Sequence, residues 1–243
     1  MSRLVYGVQP VREVLRVHEK RTERLWLASD GSPKIDGLAR LAESRGVNAE
    51  RVPKRELDRL TKNGQHQGAV AEAPALRILD EESLAKAAAA SPTSVVVILD
   101  GIMDPMNFGA VVRSAIALGA PFIVWPEHGA APLSPAMFRA SAGAIEYATL
   151  ARVRSLPSVI AHLQDAAFQV VLLEGSSEGR LDTLDLTGPT ALIVGSEDKG
   201  ARGAVRRAVN HRARLPLART VESLNASVAA GIALYEVARQ RGF

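Results

Sequence analysis

Three short polar segments of this 243-residue chain carry side chains able to hold a ligand or a transition state. The first, Asn107 to Ala115, reads Asn-Phe-Gly-Ala-Val-Val-Arg-Ser-Ala. Asn107 suits a helix N-cap, and Gly109 with Ala110 leaves room for another backbone against the first turn. Arg113 would project from the second turn of that helix and, taken alone, reads as a surface cation. The second segment, Gly195-Ser196-Glu197-Asp198-Lys199-Gly200, directly follows the apolar run Ala191 to Val194. The third, Ser223-Leu224-Asn225-Ala226-Ser227, opens the last helix shortly after Leu215-Pro216-Leu217. Two apolar strands each deliver a polar loop, and in α/β sheets the carboxyl edge is where ligands bind.

Several chemistries fail on spacing. Gly195 to Arg202 has the glycine spacing of a P-loop but lacks its lysine and hydroxyl, so there is no γ-phosphate clamp and no magnesium ligand. No strand is followed by G-x-G-x-x-G, and no G-x-S-x-G nucleophile elbow occurs. The chain has no cysteine, and its five histidines lack the spacing of a metal site, so no metal is expected. A composition 47% hydrophobic and 23% charged, without an apolar run near ~20 residues and without a signal-like N-terminus, reads as a cytoplasmic globular protein off the membrane.

Charge is uneven. Residues 1–74 hold 14 Lys/Arg against 10 Asp/Glu, whereas the remainder is balanced. From Lys199 to Arg219 there are seven basic residues and no acid, and the pI is 9.7. A polyanionic partner fits this distribution.

The positioning elements divide the chain at residues 75–92. Residues 1–74 alternate amphipathic helices (8–21, 35–44, 54–60) with short strands (25–27, 47–52, 69–71) as a small α/β unit. Residues 75–92, rich in alanine and acid and ending in Ser91-Pro92, read as a linker with a short helix. Residues 93–243 then alternate strands and helices, starting with the β-branched run Val95 to Leu99 and including a strand over 213–217, as in a parallel sheet covered by helices. The small residues of Ala226 to Glu236 suit a dimer interface or packing within one subunit.

The ordered triplet at 107–115, 195–200 and 223–227 resembles the three motifs of the SpoU-type RNA ribose 2′-O-methyltransferases. Tyr6-Gly7-Val8 and His66-Gln67-Gly68 are similar to the substrate-binding domain of members that act on large-subunit rRNA. The resemblance implies a parallel-sheet α/β catalytic domain with a C-terminal trefoil knot (SPOUT). It also implies a small N-terminal α/β domain of the ribosomal-protein L30e/L7Ae type that binds RNA, and a homodimer. S-Adenosylmethionine would be the methyl donor, and a guanosine of 23S rRNA, alone or in an assembling large ribosomal subunit, the substrate. By the same resemblance the catalytic set is Asn107, Arg113, Glu197, Ser223 and Asn225, with Glu197 pairing with Arg113. The cofactor positions are Gly195, Ser196, Gly200, Leu215, Pro216, Leu224 and Asn225. The competing readings are a tRNA or other-site rRNA methyltransferase, and a non-catalytic RNA-binding protein on the same fold.

Overall fold

The computed structural model describes residues 2–196, 200–218 and 223–243. Along the chain run β1 (Ser2–Tyr6), α1 (Val8–Val17), β2 (Arg24–Ala28), α2 (Pro33–Ser44), β3 (Ala49–Val52), α3 (Lys54–Thr61) and β4 (Ala69–Pro74). Next come β5 (Ile78–Leu79), α4 (Glu81–Ala89), β6 (Val95–Asp100), α5 (Pro105–Ala117), β7 (Phe122–Pro126), α6 (Pro135–Ala140) and β8 (Thr149–Val153). The chain closes with α7 (Leu156–Asp165), β9 (Gln169–Leu173), β10 (Thr190–Gly195), α8 (Gly203–Ala208), β11 (His211–Ala213) and α9 (Ala226–Gln240). Contacts divide the chain into two units. One comprises residues 2–76 with Leu133–Tyr147; the other comprises Arg77–Pro132 with Ala148–Phe243.

In the first unit a four-stranded sheet has the order β1-β4-β2-β3. β1 and β2 are each antiparallel to β4, and β3 is parallel to β2. Strands β1, β2 and β3 therefore run the same way, and the helix after each begins at one common edge. Helix α1 buries Val8, Val11, Val14 and Leu15 because these residues recur at helical spacing along one stripe. Strand β1, which the hydrophobic pattern does not announce, is held by its register with β4.

Segment 133–147 belongs by its contacts to this unit and not, as expected, to the domain spanning 93–243. The reason is a set of charges and rings. The Arg3 guanidinium lies 4.9 Å from the Phe138 ring centre and ion-pairs with Glu146, whose carboxylate also meets His18 Nε2 at 3.0 Å. Arg139 stacks over Tyr6 at 5.3 Å, and the Tyr147 hydroxyl donates to Glu13 Oε2 at 2.7 Å.

The second unit is a seven-stranded sheet, β11-β9-β10-β6-β7-β8-β5, in which each pairing is parallel. Stretch 75–92 is more than a linker: β5 pairs with β8, and α4 buries Leu84, Ala85 and Ala88 in the core beneath α7. Its apolar stripe is mostly alanine, which hides it in a hydropathy pattern. All six residues of β6 are buried, as a central strand covered on both faces requires. Val96, Ile98, Ala191 and Ile193 face the layer of α4, α7 and α8. The alternate residues face the opposite layer, where α5 packs on α9.

One expectation near the C-terminus changes, and one open alternative gains a contact. The strand expected over 213–217 is β11 and stops at Ala213; Pro216 has no N–H to continue a ladder. The small residues of α9 serve packing within the unit: Ala226, Ala230 and Ala233 are buried, and a Cβ on Gly231 would sit 3.6 Å from Ser114 Oγ of α5. The far end of α9 is tied down by Arg241, which donates to the carbonyls of Leu186 at 3.0 Å, Gly188 at 2.6 Å and Thr93. Burial draws this guanidinium's pKa below its ordinary value.

Candidate functional site

The site grows from the carboxyl edge of the second unit's sheet. Chain order reverses direction between β6 and β10: β7 and β8 lie on one side of β6, and β10, β9 and β11 on the other. Such a switch point opens a crevice between diverging loops. Here an ion pair spans it. Asp100, fully buried at the end of β6, accepts from Arg202 N at 2.8 Å and from Arg202 Nε at 2.6 Å.

Helix α5 begins at Asp104, whose carboxylate accepts from the backbone N–H groups of Met106 (3.0 Å) and Asn107 (3.3 Å). Pro105 follows at the first helical position, where its missing N–H costs nothing. Asn107 is therefore not the N-cap that its residue type suggests. It lies in the first turn, and its Oδ1 accepts from Asn225 Nδ2 at 3.0 Å.

Asn225 is the N-cap of α9. Its Oδ1 accepts from Ser227 N at 2.9 Å, Val228 N at 3.3 Å and Ser227 Oγ at 2.6 Å. One amide thus caps its own helix with its oxygen and reaches the other helix with its nitrogen. The structure brings the first and third motifs together in this way.

Arg113 lies on α5 and is exposed. Glu197, expected to pair with it, lies outside the described residues, as do Lys199 and Arg219 of the basic run.

The loop after β10 folds back on itself. Ser196 and Gly200 exchange backbone hydrogen bonds of 3.2 and 2.9 Å, with Gly200 at φ 64°. A Cβ on Gly195 would fall 2.5 Å from Ala201 N and 2.6 Å from Gly200 C. The absence of a side chain at Gly195 is thus demanded by its own loop. Arg202, tied to Asp100, pins the loop's far end.

Beside this loop lies a cleft of about 690 Å³, within the ~300–1,000 Å³ range of small-molecule sites. Gly195, Ser196, Gly200, Leu215, Ser223 and Leu224 line it. Pro216, Asn225, Asn107 and Arg113 do not, so the two asparagines and the arginine stand outside the cleft wall. Sequence reasoning missed the opposite wall: Leu173 at the end of β9, Glu174 to Ser176 after it, and Arg206 and Arg214. The signal was available, since Glu174 is the first polar residue after a buried strand end.

Glu174 also changes the reading of the basic run. Its largely buried carboxylate ion-pairs with Arg206 and stands 3.7 Å from Arg212. Arg214 donates to the carbonyls of Ser177 (2.9 Å) and Glu178 (3.2 Å), and Arg202 is held by Asp100. Four cations of the run therefore brace the loops around the cleft. Among the described residues no three or more His, Cys, Asp or Glu side chains gather as a metal site, and no helix is long and apolar enough to cross a membrane.

This arrangement has counterparts. Residues 94–235 match the SpoU rRNA methylase family, and residues 4–79 match the family described as RNA 2′-O ribose methyltransferase substrate binding. The chain is 38% identical over 245 residues to the 23S rRNA (guanosine-2′-O-)-methyltransferase RlmB of Pseudomonas syringae pv. tomato, covering 99% of this chain and 98% of that protein. It is also 38% identical to an uncharacterized tRNA/rRNA methyltransferase of Mycolicibacterium smegmatis, covering 99% of this chain and 77% of that one. Among solved structures it resembles the SpoU methyltransferase AviRb from Streptomyces viridochromogenes in complex with AdoMet. That match has a TM-score of 0.79 at 26% identity and covers 99% of this chain and 90% of the other.

Proposed function

The chain belongs to the SpoU rRNA methylase family and is an S-adenosylmethionine-dependent RNA ribose 2′-O-methyltransferase, and we propose that its substrate is a guanosine of 23S rRNA. The observation that carries the site assignment is the Asn225–Asn107 hydrogen bond. It couples the helix that bears Arg113 to the segment whose neighbours Leu224 and Ala226 line the cleft. The guanosine preference rests on the RlmB relatives, which match along nearly their whole length.

The cleft suits the cofactor. Val194, Leu215, Leu217 and Leu224 offer apolar walls for a purine, while Ser176, Ser196 and Ser223 offer hydroxyls. When bound, S-adenosylmethionine supplies a methyl group on a sulfonium, open to direct attack by the ribose oxygen. The protein's task is placement and charge. Arg113 acts as a planar cation and not as a base. It grips the phosphate beside the target ribose and stabilises the developing negative charge on O2′. Asn107 and Asn225 fix the start of α5, and Ser223 faces the substrate from the cleft rim.

The finer architecture is part of the same proposal. The bridge between Arg180 and Arg214 sets the segment after β11 beside the loop after β9, and α9 then returns against α5. That route supports a trefoil knot in the second unit. The first unit, with its four-stranded sheet and with α1, α2 and α3 each starting from the same sheet edge, supports an L30e/L7Ae-type RNA-binding domain. Val228, Ile232 and Tyr235 form an exposed apolar stripe at helical spacing on α9, which supports a homodimer. We place this rRNA enzyme in the cytoplasm, with no resident metal.

Mapping 2′-O-methylation on 23S rRNA treated with the protein and S-adenosylmethionine tests the assignment, with tRNA as the competing acceptor. A single new methyl on a 23S guanosine, lost in Arg113→Ala, is the expected result. Methylation of tRNA alone overturns the substrate, and full turnover in Arg113→Ala removes that residue from the mechanism.

A further inference from the structure

We propose that the groove between α8 and β11 grips the RNA backbone by its phosphates, outside the cleft that serves the chemistry. The inference rests on the chain being an RNA methyltransferase and adds a sequence-independent hold within the second unit itself.

The groove measures about 640 Å³ and runs from Gly203 of α8 to Arg212 of β11. It adjoins a hollow of about 500 Å³ that shares Arg206, Asn210, His211 and Arg212. Arg206 also lines the cleft beside the loop after β10, so groove and cleft meet at one residue.

Three arginines stand in the groove, and one carboxylate answers two of them. Glu174 ion-pairs with Arg206 and lies 3.7 Å from Arg212. Arg207 is exposed and, among the described residues, has no hydrogen-bond or ion-pair partner; the same holds for His211. A Cβ on Gly203 would come within 3.4 Å of Arg207 Nη1, so the glycine leaves this guanidinium room to lie back along α8. The positive surplus survives even when Glu178 of the adjoining hollow is counted.

The chemistry of the lining selects the ligand. Asn210 Oδ1 accepts from Val170 N at 2.9 Å and from Gln164 Nε2 at 3.2 Å. Its oxygen is thereby used, and the Nδ2 donor is what remains for the groove. Guanidinium N–H groups likewise donate and cannot accept. A lining of donors with surplus positive charge suits an anion. A base would want acceptors for its edge or an aromatic platform for its face. Here Val209 packs against the core of its unit, and no Phe, Tyr or Trp lines the groove. The trough is far larger than one phosphate group, which fits successive phosphates of a chain. Such contacts fix register and supply affinity without reading sequence.

The test measures binding of a fluorescent 23S rRNA fragment, and of an unrelated RNA of equal length, to the full-length protein across a salt series. Arg207→Ala alters an exposed side chain, and unchanged affinity for S-adenosylmethionine checks that the fold and the cleft are intact. The substitution should weaken both RNAs alike, about three-fold or more at low salt, and lower the salt slope by about one. Arg207→Lys keeps the charge and should restore most of the slope, while Arg207→Glu should cost more than alanine. RNA should also slow amide exchange across residues 203–213. An unchanged slope in Arg207→Ala, a loss confined to one of the two RNAs, or a loss that lysine does not recover overturns the proposal. Failure of this grip with 23S methylation intact leaves the enzymatic assignment standing. A slope lowered by Arg207→Ala in a protein that transfers no methyl group keeps the grip and sinks that assignment alone.

Discussion

Asn225 Nδ2 donates to Asn107 Oδ1 at 3.0 Å across 118 positions of sequence, while Asn225 Oδ1 caps α9. These two duties can be separated. Asn225→Asp keeps an oxygen for the cap but removes the donor, so its melting temperature should stay near wild type while methyl transfer falls at least ten-fold, about the loss of one positioning contact. Asn225→Ala loses both and should cost about 1 kcal/mol, a fall of ~2–4 °C in a chain of this size. Calorimetry beside single-turnover kinetics checks both; wild-type turnover in Asn225→Asp would show the link to be structural only.

Gly195→Ala places a Cβ 2.5 Å from Ala201 N, a backbone atom unable to swing away. Repacking should cost about 1–3 kcal/mol and shift the loop that lines the cleft. Isothermal titration with S-adenosylmethionine should show affinity lowered ten-fold or more. Equal affinity would mean that this loop does not shape the cofactor site.

Arg202 covers a fully buried Asp100 while itself remaining 55% exposed. Arg202→Ala leaves that carboxylate with the backbone N–H alone, a loss of about 1–3 kcal/mol by urea unfolding. Arg202→Lys should recover only part of it, because the Nε–H that reaches Asp100 at 2.6 Å has no lysine equivalent in that geometry.

Ile232 is 43% exposed in the stripe with Val228 and Tyr235. Ile232→Glu should leave the fold of one chain intact and halve the mass seen by light scattering. A wild-type protein that already runs as a monomer would refute the dimer.

Burial, and then the Glu13 carboxylate, raise the Tyr147 hydroxyl above its ordinary pKa. The protonated form is the one stabilised, so its contribution is complete below the unfolded value of about 10 and is lost as pH rises through the higher folded value. Tyr147 is 47% exposed, so solvent screens the contact and Tyr147→Phe should lower stability by about 0.5 kcal/mol or less at neutral pH, with the gap closing in strongly alkaline buffer. A gap independent of pH would point to packing alone.

Residue order alone carried the strand–helix alternation from Val95 onward and the three polar motifs, because buried parallel strands and helix starts are written in local periodicity and residue type. It also picked out the residues that line one side of the cleft. What it could not carry depends on which distant groups meet. Asp104 rather than Asn107 caps α5, since a proline follows the aspartate and a partner 118 residues away occupies the asparagine. Residues 133–147 join the first unit through Arg3, His18 and Glu13, whose pairing leaves no local trace. Four arginines of the basic run became braces only when folding set Asp100, Glu174 and two loop carbonyls opposite them. Charge and periodicity are local properties of a chain. The partner of a charge is decided by the tertiary fold, and at this site the partners settle which residues hold the scaffold and which remain to meet RNA.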